Sequence, residues 1–321
     1  MNKKTWILFG LTVGAAAGVG YLLWKHAQRA VEIPAAMPAD RARQLLERTA
    51  PLLRLPTSPA QPPEVLPDGS ELRCPVTGKV FPYRGGILDL LGDSLEKTFT
   101  QHTLDTSFTA WVYDRFRGWI TQALNVPDFP EEVAQTQQIL QAQAGDTVLD
   151  LACGQGNFTV EWAKRVGPEA CPEPGRRGLV IGLDISRALL ARAAYHVNRW
   201  GLDNVLLIRG DAHQLPFADG CLPKVNCSGG FHQFPNLPQA LREIARVSVE
   251  GAVLTASTFA EGPADPRAGV KRWMKRRFDL HFVPLVWLGE QLPALGYTDY
   301  EWPLPGGWFG YTWARKVEGS K

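Results

Sequence analysis

Three carboxylates close three apolar runs in the middle of this chain, and their spacing gives each a task. Asp150 sits in Val148-Leu149-Asp150-Leu151-Ala152, just before Gly154-Gln155-Gly156. Asp184 ends Leu179 to Leu183, and Asp211 follows the run Asn204 to Arg209 and Gly210. An acid at the tip of a second strand can accept hydrogen bonds from both hydroxyls of a ribose. Asp211 could accept from an adenine amino group, and Asp150 is placed to meet an amino group through its charge. Gly154 and Gly156 let the backbone approach a ligand that any Cβ would obstruct. His232, after a fourth run Lys224 to Cys227, is the best-placed general base, because an imidazole titrates near neutral pH. It could equally cap its loop or pack on Phe234; His213 is the weaker candidate.

These groups need rigid supports. Continuous apolar runs ended by turns read as parallel strands buried on both faces. They alternate with the helical patterns Phe158 to Val166 and Leu237 to Val247, and a fifth strand, Ala252 to Thr258, follows. The result is an open α/β sheet with its ligand at the carboxyl end of the first strand, where a helix N-terminus also points. A dinucleotide would want a third glycine where Thr159 stands. A ligand with an amino-acid end, an adenosine end and no phosphate fits better, and S-adenosylmethionine is that ligand. A nicotinamide oxidoreductase is the competing reading.

The 321 residues are 45% apolar and 21% charged, as in a globular protein. A net charge of +2 gives no case for nucleic acid, and five cysteines without paired spacing favour a reducing compartment. Thr5 to Trp24 is a run of twenty uncharged residues between Lys3-Lys4 and Lys25. As a helix it spans roughly 30 Å, the thickness of a bilayer core, so residues 1–29 read as a single-pass anchor. A cleaved signal peptide is the alternative. Gly10, Gly14 and Gly18 repeat at four-residue spacing and could pair two such helices as a homodimer. Residues 30–70 hold eight prolines and read as a semi-rigid spacer with one short helix near Asp40 to Glu47.

Residues 71–92 resemble the zinc-ribbon-like segment that precedes some bacterial methyltransferase domains. Thr77 stands where Cys74 would need a second cysteine, so no metal is expected, only a hairpin packed on its neighbour. Residues 93–321 form the remaining domain. It opens on a helical stripe (Phe108, Trp111, Val112, Phe116, Ile120) that would be core or the cap of the site.

Residues 140–260 resemble the class I S-adenosylmethionine-dependent methyltransferases, closest to the quinone- and sterol-type branch. The segments that carry this are Val148 to Gly156, Gly182-Leu183-Asp184-Ile185-Ser186, Gly210-Asp211-Ala212 with Leu215-Pro216-Phe217, and Cys227 to Phe234 with Ala240 to Val247. The resemblance implies a Rossmann-like, seven-stranded, mostly parallel sheet with helices on both faces. Its last hairpin, Tyr297 to Trp302 and Trp308 to Lys316, would be antiparallel. Asp150 and Gly154, with Ala152 and Gly156, are implied near the methionine end and Asp184, with Ile185, at the ribose. Asp211 and Ala212 are implied at adenine, Cys227 and Ser228 beside the sulfonium. Two departures stand out. Cys221 to Val225 lacks an acid usual before the fourth strand, and Phe231-His232-Gln233 carries one histidine where two are common.

The expected activity is methyl transfer to a small lipid-soluble acceptor such as a quinone or phenol, by a membrane-tethered enzyme whose domain faces the cytoplasm, where the cofactor is made. A membrane-anchored cofactor-binding scaffold is the rival. Val270, Trp273, Met274 and Phe278 share one helical face among the cations of residues 264–282. That helix is either a solvated basic helix with a core face or a contact for acidic headgroups.

Overall fold

In the computed structural model, residues 37–55, 60–92, 128–167, 177–262, 265–278, 281–301 and 308–317 are described. The expected anchor (residues 5–24, with Gly10, Gly14 and Gly18) and the aromatic stripe from Phe108 to Ile120 lie outside them. Among the described residues no helix is long and apolar enough to cross a membrane.

The expected spacer is part of the fold wherever it is described. Helix α1 (Ala39–Thr49) is mostly polar but turns Ala42, Leu45 and Leu46 into the core. After a 3₁₀ turn, Leu53 bridges Phe217, Arg54 N–H donates to the Pro216 carbonyl, and Ala218 N–H donates to that of Leu52. The prolines only interrupt elements here; apolar burial decides where the segment lies.

Strands β1 (Glu64–Val65), β2 (Glu71–Arg73), β3 (Val80–Arg84) and β4 (Ile87–Asp89) form an antiparallel meander. It is no separate module, because β4 pairs in parallel with β7 (Val205–Arg209). Asp89 locks this seam, accepting from Arg209 Nη1 at 3.1 Å and Arg187 Nη2 at 2.9 Å. Cys74 is buried, and its sulfur accepts from Thr77 N–H at 3.4 Å. Among the described residues no cluster of three His, Cys, Asp or Glu could hold a metal.

The chain continues through α2 (Phe129–Leu140), β5 (Thr147–Leu151), α3 (Asn157–Val166), β6 (Leu179–Asp184) and α4 (Arg187–Arg199) to β7. Then come β8 (Leu222–Ser228), α5 (Leu237–Val247), β9 (Ser248–Glu261), α6 (Ala268–Phe278), β10 (Val283–Pro284), α7 (Leu285–Ala294), β11 (Tyr297–Glu301) and β12 (Phe309–Lys316). The sheet order is β1-β2-β3-β4-β7-β6-β5-β8-β9-β12-β11, with β10 added alongside β9. β7 through β9 are parallel to one another; β12 and β11 run antiparallel. The expected seven strands are therefore present in a wider mixed sheet. β5 is buried on both faces: Val148 joins one apolar cluster with α3 and α4, Leu149 another with α1 and α5. The chain reverses direction of travel through the sheet between β5 and β8, the switch point where such sheets hold ligands.

Candidate active site

The loop after β5 takes its shape from two left-handed glycines and one strained alanine. Gly154 (φ +54°) and Gly156 (φ +77°) need no side chain to be moved aside, whereas Ala152 holds φ +54° at a cost. Gly156 is a packing position: a Cβ there would stand 2.9 Å from that of Ala193 on α4. Gly154 differs, since a Cβ on it would meet nothing within 4 Å. Its N–H donates to Asp184 Oδ2 at 2.9 Å, while Ser186 N–H donates to Oδ1 at 2.8 Å. Asp184 thus ties the first loop to the second, and Gly210 N–H reaches its carbonyl from the third. Ser186 caps α4 through Leu189 N–H, and side chains cap α2 and α5; none caps α3, whose N-cap is Gly156.

Asp150 does not face open space. It is 2% exposed; Oδ1 accepts from Asn226 Nδ2 at 2.8 Å and Oδ2 from Thr159 Oγ1 at 2.6 Å. Asn226 Oδ1 in turn accepts from Ser228 Oγ and Thr255 Oγ1, each at 3.1 Å. Burial, with the charge of Asp184 adding to it, pushes the Asp150 carboxyl up to about 6 despite these hydrogen bonds. Both oxygens are held by neutral partners, so the negative charge has no counter-charge within its own hydrogen bonds. A cationic ligand placed by Gly154 would supply one.

Asp211 is less buried. Its Oδ1 receives His213 Nδ1 at 2.6 Å and His213 N–H at 2.9 Å, and Asn236 N–H donates to Nε2, which fixes the ring proton on Nδ1. Burial raises the Asp211 carboxyl, but the His213 hydrogen bonds outweigh it and hold the group below its usual range. His213 is therefore a partner for Asp211, leaving Oδ2 for a ligand. The Ile185 carbonyl accepts from Arg209 Nε at 3.3 Å, and Ala212 is buried.

Two expected site residues sit differently from the reading. Cys227 is fully buried in the core, and burial holds its thiol well above the normal value. Its sulfur would be 2.5 Å from a Cβ on Gly230, so its side chain packs behind the loop. Only its backbone, with Ser228, borders the site. His232 is 7% exposed, with Phe259 N–H donating to Nδ1 at 3.3 Å and the Gln233 carboxamide 3.1 Å from Nε2. Burial, with the charge of His281 adding to it, pushes the imidazole down to about 3. So weak a base is poorly matched to taking a proton from an acceptor near neutral pH, which speaks against the catalytic reading of His232.

His232 belongs instead to an aromatic wall at the carboxyl end of β9 and the amino end of its antiparallel neighbour β12. Phe259 lies 4.6 Å from its ring centroid and 4.6 Å from that of Phe309, its cross-strand partner. Phe282 stands 5.8 Å from Phe259, and Trp308 6.2 Å from Phe282. All four carbon rings are half-buried. The wall adjoins the cofactor loops, since Gly229 N–H donates to Ser257 Oγ at 3.0 Å and a Cβ on Gly230 would stand 2.9 Å from that of Ala152.

Sequence reasoning missed Asn226, Thr255 and Ser257. Their signal was there, as polar residues at alternate positions of otherwise apolar strands. Ser257 Oγ also donates to Glu132 Oε1 at 3.1 Å, tying α2 to β9.

A family model described as a methyltransferase domain matches residues 142–283. The demethylmenaquinone methyltransferase of Listeria welshimeri is 30% identical over 190 residues, 59% of this chain and 72% of the relative. That of Geobacillus stearothermophilus is 36% identical over 163 residues, 51% of this chain and 63% of the relative. The structure of Haemonchus contortus phosphoethanolamine N-methyltransferase 2 with S-adenosyl-L-methionine superposes with a TM-score of 0.56 at 15% identity, covering 75% of this chain and 62% of that one. At that identity the likeness is one of fold. The meander of residues 71–92 lies outside the family match, and nothing in these relationships supports a zinc ribbon there.

Sheet order, cradle and acid set together define a methyltransferase fold built around a nucleoside cofactor. The chain belongs to the class I S-adenosylmethionine-dependent methyltransferases, and S-adenosylmethionine is its cofactor. The residues fit that group. The space at Gly154 admits it, Asp184 and Asp211 offer acceptors for its hydroxyls and amino group, and the charge of Asp150 complements its cationic end. When bound, it supplies an already activated methyl group.

Proposed function

We propose that the chain methylates a small, lipid-soluble ring acceptor of the quinol or phenol type, from a membrane-tethered position facing the cytoplasm. The observation that carries this is the aromatic wall of Phe259, Phe282, Trp308 and Phe309 beside the cofactor loops. Such faces favour a planar apolar guest by stacking and burial, worth about 0.5–1.5 kcal/mol per ring pair beyond area alone. The name of the Listeria and Geobacillus relatives supports the same acceptor class. The uncharged run Thr5 to Trp24 supports the tether.

In the reaction the acceptor oxygen or ring carbon bonds the methyl carbon as the methyl–sulfur bond breaks. The electron pair goes to sulfur, and the acceptor releases its proton. The protein's share is alignment: loops held by Asp184 and Asp150 on one side, a hydrophobic wall on the other. With His232 neutral and weakly basic, the proton passes to solvent, before attack where a phenolate oxygen is the acceptor and after it where a methylated ring carbon must lose its hydrogen.

Methyl-labelled cofactor incubated with the full chain and a membrane lipid extract tests the reading. Label should enter a lipid-phase species of quinol or phenol type, and Phe259→Ala should raise KM for that acceptor about tenfold without changing cofactor affinity. Label found only in water-soluble products, or a Phe259→Ala enzyme with unaltered KM, would overturn it.

A further inference from the structure

Helix α6 is assembled inside out relative to its sequence pattern. The apolar face of Val270, Trp273 and Met274 should point inward, yet Lys271 is the residue buried, at 1% exposure. Its Nζ pairs with Asp265 Oδ2 at 2.5 Å, donates to the Ala260 carbonyl at the end of β9, and lies 5.2 Å and 5.6 Å over the rings of Phe282 and Trp308. A turn of 3.6 residues then sets Trp273 almost opposite Lys271, at the outermost point of the helix. Val270 flanks it on one side, Arg272 and Arg276 on the other. Trp273 is 55% exposed and Val270 51%, and Arg272, Lys275 and Arg276 are exposed. The helix carries no acid.

An indole and an aliphatic side chain at the crest of a helix, ringed by cations, match the boundary of an anionic bilayer. The ring sits at headgroup level and the cations meet lipid phosphates. We infer that α6 docks the catalytic domain onto an anionic lipid surface through Trp273 and Val270, with Arg272 and Arg276 as its electrostatic contacts. The inner side of the same helix touches the aromatic wall, so a domain docked this way holds the wall about one helix diameter, roughly 10 Å, from the bilayer. The value of such docking rests on the lipid-borne acceptor proposed above; the docking itself does not.

A second exposed tryptophan makes the control. Trp200, 58% exposed, follows α4 at the amino end of the sheet and lies under Lys164 Nζ at 3.7 Å. The full chain is reconstituted in phosphatidylcholine vesicles with or without about a third phosphatidylglycerol, a content that gives a negative surface potential. Brominated lipids quench indoles that reach the headgroup boundary. Trp273→Phe should remove a quenched component seen on anionic vesicles, and Trp200→Phe should not. Each charge reversal, Arg272→Glu or Arg276→Glu, should lower the docked-to-undocked ratio by at least about fivefold, the worth of one surface cation near acidic lipid. These positions are exposed, and circular dichroism verifies that the variants fold. Quenching unaffected by Trp273→Phe, or equal on neutral and anionic vesicles, overturns the inference. No cofactor or acceptor is present, so this failure leaves the acceptor reading standing, and failed methyl transfer would leave the quenching unchanged.

Discussion

The two halves of the site each bury a titratable group, and burial presses both toward the neutral form, with different consequences. In the cofactor half Asp150 is raised to about 6, and its charge is what a cationic cofactor can balance. In the acceptor half His232 is lowered to about 3, among the rings of Phe259 and Phe309, where a neutral planar guest needs no charge. The cofactor half is thus an electrostatic device that waits for its counter-charge. The acceptor half is an aromatic surface in which the Lys271 ammonium over Phe282 and Trp308 is neutralised by Asp265. The same physics, desolvation, is used for attraction on one side and for apolar selectivity on the other.

Gly154 breaks the cofactor half most severely. Gly154→Val places a branched side chain in the cradle and forces φ +54° on a residue that resists it. Calorimetry should find cofactor affinity reduced at least about a hundredfold, roughly 3 kcal/mol. Thermal unfolding should shift by only a few degrees, because a Cβ at this position meets nothing within 4 Å in the free protein.

Asp150→Asn sharpens the contrast by separating stability from binding. A carboxyl raised from 3.8 to about 6 makes the folded state hold its proton more tightly than the unfolded one. That contribution is present at low pH and is lost as pH rises through about 4 to 6, leaving the charged wild type about 3 kcal/mol worse off above pH 6. The asparagine variant should therefore unfold at a higher temperature than wild type at pH 7 in the absence of cofactor, yet bind S-adenosylmethionine about thirtyfold more weakly. In wild type the affinity should decline as pH falls below 6, because a cation then has to compete with a proton. In Asp150→Asn that slope should vanish. A variant that is both less stable and unchanged in its pH slope would contradict the account of Asp150.

The two halves also differ in how far they could be read from sequence. Leu179–Asp184 and Leu237–Val247 form the elements their patterns predict, residue for residue, because uninterrupted apolar runs and a capped amphipathic period are local signals. Asp184 and Gly154 were legible for the same reason. Residues 37–92 were not: β4 finds its partner at Leu207, far along the chain, and no local pattern reports such a pairing. The prolines misled by suggesting a spacer, though Leu45, Leu46 and Leu53 are all buried. Of the two readings of helix α6, the one with a core face fails at Val270 and Trp273, because periodicity assumes that apolar residues face inward. The ion pair of Lys271 with Asp265 and its carbonyl contact at Ala260 outweigh that tendency. His232 was legible as a position but not as a pKa, which depends on rings that only the fold assembles.

His232 gives the smallest effect on rate and the clearest one on acid stability. Were it the base, His232→Gln would cost about 10²–10⁴ in kcat and abolish an acid limb near its pKa. As a neutral member of the aromatic wall it should cost less than about tenfold, and the wild-type rate should show no limb near pH 6.5 from this group. The stability sign runs opposite to that of Asp150. A histidine lowered to about 3 is neutral when folded and takes up a proton on unfolding below its ordinary value of 6.5. Its contribution is full above pH 6.5 and is lost at about 1.4 kcal/mol per pH unit as pH falls toward 3. Asp150 contributes an opposed slope below pH 6, so denaturant titrations between pH 7 and 4.5 compare the two proteins: His232→Gln should lack this component of the wild-type slope while retaining most of the activity. A flattened slope with kcat destroyed would return the imidazole to the chemistry. An unchanged slope would mean that the ring is not buried in the way its contacts with Phe259 and Phe309 require.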